Sequence, residues 1–140
     1  MSLYIVDASV AAKWLFPEEH SIAAERLLDP SHDLHAPGLL PIEVDSVILK
    51  RLRRGAITHA EAGRIRSVFE EKTVHLVPLE PLRHAAYGIA ANTGVSLYDS
   101  LYLALAVLMD SRMVTADGRF MRAISSSRFA FRLLWVEDIP

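Results

Sequence analysis

The chain begins with a short apolar run that ends at an acid. Residues 3–6 read Leu-Tyr-Ile-Val and are followed by Asp7. An apolar run without alternation is typical of a strand buried on both faces, as in the centre of a parallel sheet. Residues 8–16 are mostly helix formers, and Pro17 follows them. Because ligands bind outside the carboxyl ends of strands in open α/β sheets, this pattern places Asp7 where chemistry is performed.

The rest of the chain alternates between strand and helix patterns. Further strands are predicted at residues 73–77, 113–116 and 129–136, and helices at residues 21–28, 39–54, 58–69, 81–92, 97–110 and 119–126. Residues 30–38 contain two prolines and are expected to form a loop or a short extended passage. Strands separated by helices pair in parallel through right-handed crossovers. We therefore predict an α/β fold, a three-layer α/β/α sandwich around a central parallel sheet of about four strands.

The size of the chain predicts one domain, residues 1–140, because 140 residues with 51% hydrophobic content are enough for one core and too few for two. There is no cysteine, which excludes disulfides, thiolate zinc sites and cysteine nucleophiles. The longest apolar run, residues 101–109, is far below the roughly 20 residues that span a bilayer. We expect a soluble, cytoplasmic protein without membrane contact.

Four acids fall at positions that the fold would bring together. Asp117 repeats the pattern of Asp7, since it follows a predicted strand and precedes a helix. Asp99 lies near the start of a nearly all-apolar helix, where an ionised carboxylate is costly to bury alone. Glu43 lies near the start of its own helix. Each has a simpler explanation, as helix N-cap, first-turn acid or solvated surface residue. Converging carboxylates would nevertheless raise each other's pKa unless a cation held them.

The available donors predict which cation such a site would bind. All the candidate ligands are carboxylate oxygens, which favour Mg²⁺ or Mn²⁺ over zinc. The six histidines show no ligand spacing, and His32 and His35 lie in the expected loop, so we do not expect a histidine metal site. The aromatic residues near the acids are expected in the core rather than as base-stacking platforms; they are Trp14, Phe16, Tyr98 and Tyr102.

Four segments at characteristic spacing resemble a known family. They are Ile-Val-Asp-Ala-Ser-Val at residues 5–10, Pro-Ile-Glu-Val at 41–44, Leu-Tyr-Asp-Ser-Leu-Tyr-Leu-Ala-Leu-Ala at 97–106 and Val-Thr-Ala-Asp at 114–117. Together they resemble a PIN domain, and among PIN domains the VapC-type ribonuclease toxins of toxin–antitoxin pairs. The resemblance covers essentially the whole chain.

This resemblance implies a metal-dependent endoribonuclease that hydrolyses RNA phosphodiester bonds. It implies an acidic site made by Asp7, Glu43, Asp99 and Asp117, with Mg²⁺ or Mn²⁺ as cofactor, and it also implies a cognate VapB-type antitoxin and a homodimer. Ser9 and Thr115 match positions where such domains often keep a hydroxyl, and we expect them to donate hydrogen bonds to the carboxylates.

Two residues depart from the family pattern. Asp45 stands where such proteins more often have a small or apolar residue. On a helix it is rotated about 200° from Glu43 and should not share its ligand face, so it either caps or bridges elsewhere or adds charge near the site, which leaves the number of metal ions open. Gly118 replaces a bulkier residue after the last acid, which could loosen that turn.

The net charge of −2 does not by itself favour a nucleic-acid partner. Most basic residues are arginines, however, and arginine suits bidentate phosphate contacts. The candidate RNA-binding residues are Lys50, Arg51, Arg53, Arg54, Arg119 and Arg122, although the first four could simply be a solvated helix end.

Two other functions remain open from the sequence. One is a catalytically silent PIN-like module that binds RNA or an antitoxin. The other is a phosphatase with Asp7 as nucleophile, but the second acid expected two residues later is Ser9.

Overall fold

In the computed structural model, residues 2–140 are described, and they form five β-strands and seven α-helices. The strands are β1 (Ser2–Val6), β2 (His32–Pro37), β3 (His75–Val77), β4 (Arg112–Thr115) and β5 (Leu133–Trp135). The helices are α1 (Ala8–Ala11), α2 (Ser21–Glu25), α3 (Leu40–Arg53), α4 (His59–Glu70), α5 (Glu80–Thr93), α6 (Leu97–Leu108) and α7 (Gly118–Ile124). All strand pairs are parallel, in the order β3-β2-β1-β4-β5. The predicted three-layer α/β fold is confirmed, with β1 at the centre.

The sheet has one strand more than the sequence predicted. The additional strand, β2, falls in the segment expected to be a loop or a short extended passage. Its buried residues Leu34 and Ala36 are separated by polar ones, which obscured the pattern. The strand forms because β1 pairs with it on one side and β3 on the other. Pro37 is its last residue, a position that proline tolerates.

The first helix is shorter than predicted. It ends at Ala11 and continues as a 3₁₀ turn, Ala12–Trp14, instead of reaching residue 16. The Trp14 Nε1 donates a hydrogen bond to the Ala24 carbonyl at 2.9 Å, and Phe16 is buried. Packing against α2 therefore turns the chain before Pro17. The last strand is also shorter than predicted, since 3₁₀ turns lie on both sides of β5.

Helices α3 and α4 form the predicted hairpin. Thr58 and Glu61 make the reciprocal hydrogen bonds of a capping box at the start of α4. Gly55 follows α3 with φ +75°, a backbone conformation that favours glycine.

Helix α6 is the central helix of the structure. Residues 100–106 are buried without interruption, and the helix packs against β1, β2 and β4 as well as α5. Its first turn therefore lies next to the middle of the sheet. None of the helices formed by residues 2–140 has the length and apolar content needed to cross a membrane.

Candidate active site

Asp7 is the most deeply buried of the predicted acids, with an exposed fraction of 7%. Its Oδ1 caps α1 by accepting the Val10 amide at 3.0 Å and also accepts the Ser9 hydroxyl at 2.6 Å. Its Oδ2 accepts the Thr115 hydroxyl at 2.6 Å. Burial raises the pKa of Asp7 from 3.8 to about 6, although these three hydrogen bonds lower it. The carboxylate is thus held in one orientation and is only reluctantly ionised.

The two hydroxyl residues also join the ends of β1 and β4. Ser9 Oγ accepts the Ala116 amide at 3.0 Å, and Thr115 Oγ1 accepts the Asp117 amide at 3.1 Å. The same side chains that orient Asp7 therefore fix the backbone that leads to Asp117. One small hydrogen-bond network sets the spacing between two of the acids.

Asp117 lies at the carboxyl end of β4 and caps α7. Its Oδ1 accepts the amides of Arg119 at 3.0 Å and Phe120 at 3.1 Å. The side chain is exposed, in contrast to Asp7. The N-cap explanation is therefore correct for both acids, but in each case the cap uses only Oδ1. A capped carboxylate retains lone pairs for a further ligand.

Asp99 connects the other three acids electrostatically. Burial is the main cause of its raised pKa, and the negative charge of Asp117 adds to it. The charge of Asp99 in turn adds to the burial that raises the pKa values of Asp7 and Glu43. The structure thus brings the four acids into mutual electrostatic contact at the carboxyl edge of the sheet. We call these four residues the acid centre.

Glu43 is held by a residue that the sequence did not assign to the site. The Tyr102 hydroxyl donates a hydrogen bond to Glu43 Oε1 at 2.6 Å. Burial raises the pKa of Tyr102, and the neighbouring acids raise it further, so the hydroxyl keeps its proton. The expectation that Tyr102 lies in the core is correct, with an exposed fraction of 1%, whereas Tyr98 is 60% exposed. The polar end of a core tyrosine thus positions one of the acids.

The acid centre fits a hard divalent cation by its chemistry. All four donors are carboxylates, and those with raised pKa values are raised partly by each other's charge, which a cation would relieve. Within residues 2–140, no three of these carboxylates bring oxygens within 4.8 Å of one another. Mg²⁺ usually keeps several waters and is bound through one or two carboxylates, so the remaining acids would contact such an ion through water.

Asp45 lies outside the acid centre, as its helical position predicted. Its carboxylate forms a bidentate pair with Arg66, at 2.8 Å to Nε and 3.0 Å to Nη2. This pair joins α3 to α4.

Gly118 does not loosen its turn, because it begins α7 without a positive φ. A Cβ at this position would lie 3.2 Å from the Arg122 guanidinium. The missing side chain thus leaves room for the Arg122 guanidinium next to Gly118.

The other predicted RNA-binding residues differ in their availability. Arg51 pairs with Glu18 at 2.7 Å, and its guanidinium lies 4.0 Å from the centre of the Phe16 ring. Lys50, Arg53, Arg54 and Arg119 are exposed. Of the six, Arg51 is the one whose guanidinium is already engaged within the protein.

A second cluster contains side chains that could bind a metal, at histidines for which the sequence showed no ligand spacing. Asp33, His35 and His75 bring one ligand atom each within 4.8 Å of one another, the only such group among residues 2–140. We call it the histidine cluster. The sequence analysis missed it because residues 30–38 were not read as a strand. An Asp-Leu-His alternation on a strand would have been the signal, since residues two apart share a face.

Comparisons with known proteins agree with this architecture. The profile of the PIN domain matches residues 4–124. Ribonuclease VapC3 of Pyrobaculum aerophilum is 32% identical over 115 residues, covering 81% of this chain and 88% of that protein. Ribonuclease VapC9 of Mycobacterium tuberculosis is 32% identical over 120 residues, covering 84% and 87%.

Solved structures show the same fold at lower identity. A crystal structure of a Pyrobaculum aerophilum protein matches with a TM-score of 0.69 and 22% identity, over 97% of this chain and 85% of that one. VapBC2 from Rickettsia felis, bound to a DNA fragment from its promoter, matches with a TM-score of 0.66 and 12% identity, over 95% and 98%.

The class defined by this fold is a three-layer α/β domain with acids at the carboxyl edge of a parallel sheet. The chain belongs to the PIN domain family and is similar within it to the VapC ribonucleases.

Proposed function

We propose that this protein is a divalent-metal-dependent endoribonuclease and the toxin of a type II toxin–antitoxin pair. The observation that carries the proposal is the hydrogen-bond network of Ser9 and Thr115, which orients the buried Asp7 and joins it to the end of β4 that leads to Asp117. Its two VapC relatives are named ribonucleases, which supports RNA as the substrate. An acid centre that holds a divalent cation would suit phosphodiester hydrolysis, because the cation would offset the negative charge of the phosphate.

In the proposal, Asp7, Asp99 and Asp117 hold Mg²⁺ or Mn²⁺, and Glu43 holds a second ion or orients the attacking water. Held by these residues, such an ion would supply a bound water of lowered pKa and would offset charge on the leaving oxygen. Ser9 and Thr115 orient Asp7 through the hydrogen bonds described above. Such supporting contacts fix ligand geometry and are costly to remove.

The basic residues supply the proposed contact to the RNA backbone. Arg119 and Arg122 lie on the helix that begins at Asp117, and arginine binds phosphate bidentately. Lys50, Arg53 and Arg54 at the end of α3 extend this surface in the proposal, whereas Arg51 is left out because its guanidinium is engaged. These contacts position the phosphodiester and carry no sequence information themselves.

A VapB-type antitoxin and a second copy of the chain are the proposed protein partners. Similar folds occur in a toxin–antitoxin complex from Klebsiella pneumoniae, which matches with a TM-score of 0.63 over 99% of this chain, and in VapBC2. These complexes support an antitoxin partner here.

The test is cleavage of total cellular RNA by the purified chain with Mn²⁺ or Mg²⁺. We expect discrete fragments that disappear with EDTA, and an Asp99→Asn rate at least about 100-fold lower, because loss of a ligand costs at least as much as loss of a supporting contact. Asp45→Asn is the matched control, since it makes the same change at an acid of α3 that lies outside the acid centre and pairs with Arg66 on α4. Asp45→Asn is expected to cut at the wild-type rate.

Two results would contradict the proposal. If the Asp99→Asn protein cut RNA at the normal rate, the acid centre would not take part in the reaction. An antitoxin-free protein that binds Mn²⁺ and RNA without cutting would favour the catalytically silent binding module instead.

A further inference from the structure

The histidine cluster lies on two neighbouring strands near their amino-terminal ends. Asp33 and His35 are two residues apart on β2, and His75 is the first residue of β3. The register pairs His35 directly with His75, so the parallel ladder places both imidazoles side by side. Strand β3 is at the edge of the sheet and has only three residues. The cluster thus bridges the second strand and a short edge strand.

The contacts within the cluster are close to those of a metal site. His35 Nε2 lies 3.1 Å from Asp33 Oδ2, and His75 Nε2 lies 3.4 Å from Asp33 Oδ1. The two imidazole rings are 4.8 Å apart between centroids and inclined by 36°. In a tetrahedral zinc site with bonds of 2.0–2.1 Å, neighbouring ligand atoms are about 3.3 Å apart. The two distances end on different oxygens of Asp33, so the side chains must rotate to place one atom each on a common ion, and their ligand atoms already lie within 4.8 Å of one another.

Exposure permits both the adjustment and access for an ion. The side chain of His35 is 16% exposed and that of Asp33 32%, whereas that of His75 is 59% exposed. Asp33 and His75 also line a surface cavity of about 490 Å³, which Glu71 and Lys72 border. Two ligands are thus held by the sheet, and the third can move toward an ion that enters from the cavity.

The histidine cluster is separate from the acid centre. Asp33 is aligned with Leu3 on β1 and His35 with Ile5, four and two residues before Asp7, so the cluster lies roughly 7–13 Å from Asp7 along the strand direction. The donor sets also differ. Two imidazoles and one carboxylate suit Zn²⁺ and similar transition metals, whereas an all-carboxylate set suits Mg²⁺ or Mn²⁺.

We propose that Asp33, His35 and His75 bind one Zn²⁺ that fastens the edge strand β3 to β2. Three protein ligands leave the fourth tetrahedral position open to the cavity. The ion joins the end of the α3–α4 hairpin, from which β3 follows, to the sheet. Its effect is expected on the stability of the fold and not on the reaction at the acid centre.

The test is zinc binding by calorimetry, with the tag-free full chain and excess Mg²⁺ present to occupy the acid centre. We expect one Zn²⁺ per chain and a rise in Tm of roughly 5–10 °C when free Zn²⁺ exceeds the Kd a hundredfold. Co²⁺ in place of Zn²⁺ is expected to give the visible absorption of a tetrahedral site.

Variants locate the ion. His75→Ala and Asp33→Asn are expected to weaken zinc binding at least about 100-fold. His75 is mostly exposed and asparagine has nearly the shape of aspartate, so both variants should fold, which far-UV circular dichroism checks. His59→Ala removes another exposed histidine and is the matched control with unchanged affinity.

Three results would overturn the proposal. They are the absence of zinc binding to the wild-type chain, unchanged affinity in both cluster variants, and loss of zinc binding in Asp99→Asn with retention in His75→Ala. The last result would place the zinc in the acid centre.

Discussion

The acid centre and the histidine cluster are two ways in which the same parallel sheet gathers charged side chains. The acid centre takes residues from the ends of two strands and the starts of two helices, whereas the histidine cluster uses only the register of two adjacent strands. Burial and the charge of a neighbouring acid raise the pKa values of Asp7, Glu43 and Asp99, while in the cluster one carboxylate lies within 3.4 Å of both imidazoles. Carboxylates repel one another when no cation lies between them, whereas a carboxylate and two imidazole rings can form hydrogen bonds.

The physical lesson is that compactness alone does not identify a catalytic centre. By distance alone, the histidine cluster is the better preformed ligand set. The acid centre is distinguished instead by burial of ionisable groups, which is costly and is typical of functional sites. This cost is clearest for Asp7, since its carboxyl is buried and burial raises its pKa to about 6.

The largest expected effect comes from measuring both activities, RNA cleavage and zinc binding, on one variant of each site. This tests whether the two sites act separately. Asp7→Asn should reduce RNA cleavage at least about 100-fold, because Asp7 is a proposed metal ligand, and should leave zinc binding unchanged. Asp33→Asn should have the opposite effects. Cleavage rates and zinc calorimetry on the same preparations check both variants. If either variant impaired both sites, the comparison would fail.

The cost of burying Asp7 predicts a pH dependence of stability. The folded-state pKa of about 6 exceeds the ordinary value of 3.8, so the folded protein binds the proton more tightly. The stability from this group is therefore complete below pH 3.8 and is lost as pH rises through about 6, by about 3 kcal/mol in total.

This dependence is measured by urea unfolding of metal-free protein at pH 4.5 and 7.5. The free energy of unfolding of the wild type should fall relative to that of Asp7→Asn, which cannot ionise, as pH increases. Added Mn²⁺ should restore wild-type stability at pH 7.5, since binding to the folded state stabilises it. If the difference in free energy of unfolding between the two proteins were the same at both pH values, the raised pKa of the buried Asp7 carboxyl would be contradicted.

Tyr102→Phe is expected to have an intermediate effect on the acid centre. The change removes only the hydroxyl that donates to Glu43, and this hydrogen bond lowers the pKa of Glu43. Cleavage should fall about tenfold, in line with loss of a supporting contact, and its pH profile should move to higher pH. Tyr98→Phe, at an exposed position of the same helix, is the control. If the cleavage rate fell but its pH profile did not move, Tyr102 would act only through packing and not through its hydrogen bond to Glu43.

Asp45→Asn is expected to have the smallest effect. It shows how much free energy of unfolding is lost when a carboxylate outside both sites is removed. Its pair with Arg66 is partly exposed, with side-chain exposures of 39% and 54%, so the loss should be less than about 1 kcal/mol. Thermal unfolding measures this value. A loss of several kcal/mol would show that the α3–α4 pair is a principal support of the hairpin.

The pattern of local sequence identified most of the acid centre. Asp7 and Asp117 were predicted because each follows an apolar strand, and such strands end at a shared edge. The predicted position of Asp45 away from Glu43 followed from the rotation per residue of a helix, and the Arg66 pair agrees with it. The catalytic roles of these residues remain predictions.

The sequence by itself determined the α/β class, the central position of β1 and the placement of acids at strand ends and helix starts, because strand and helix patterns are local. The tertiary structure alone decided that residues 32–37 form a strand, since their hydrogen-bond partners come from β1 and β3. It also decided that Tyr102 holds Glu43, a partner 59 residues away. Contacts of this kind depend on how distant elements pack, and no local pattern encodes them.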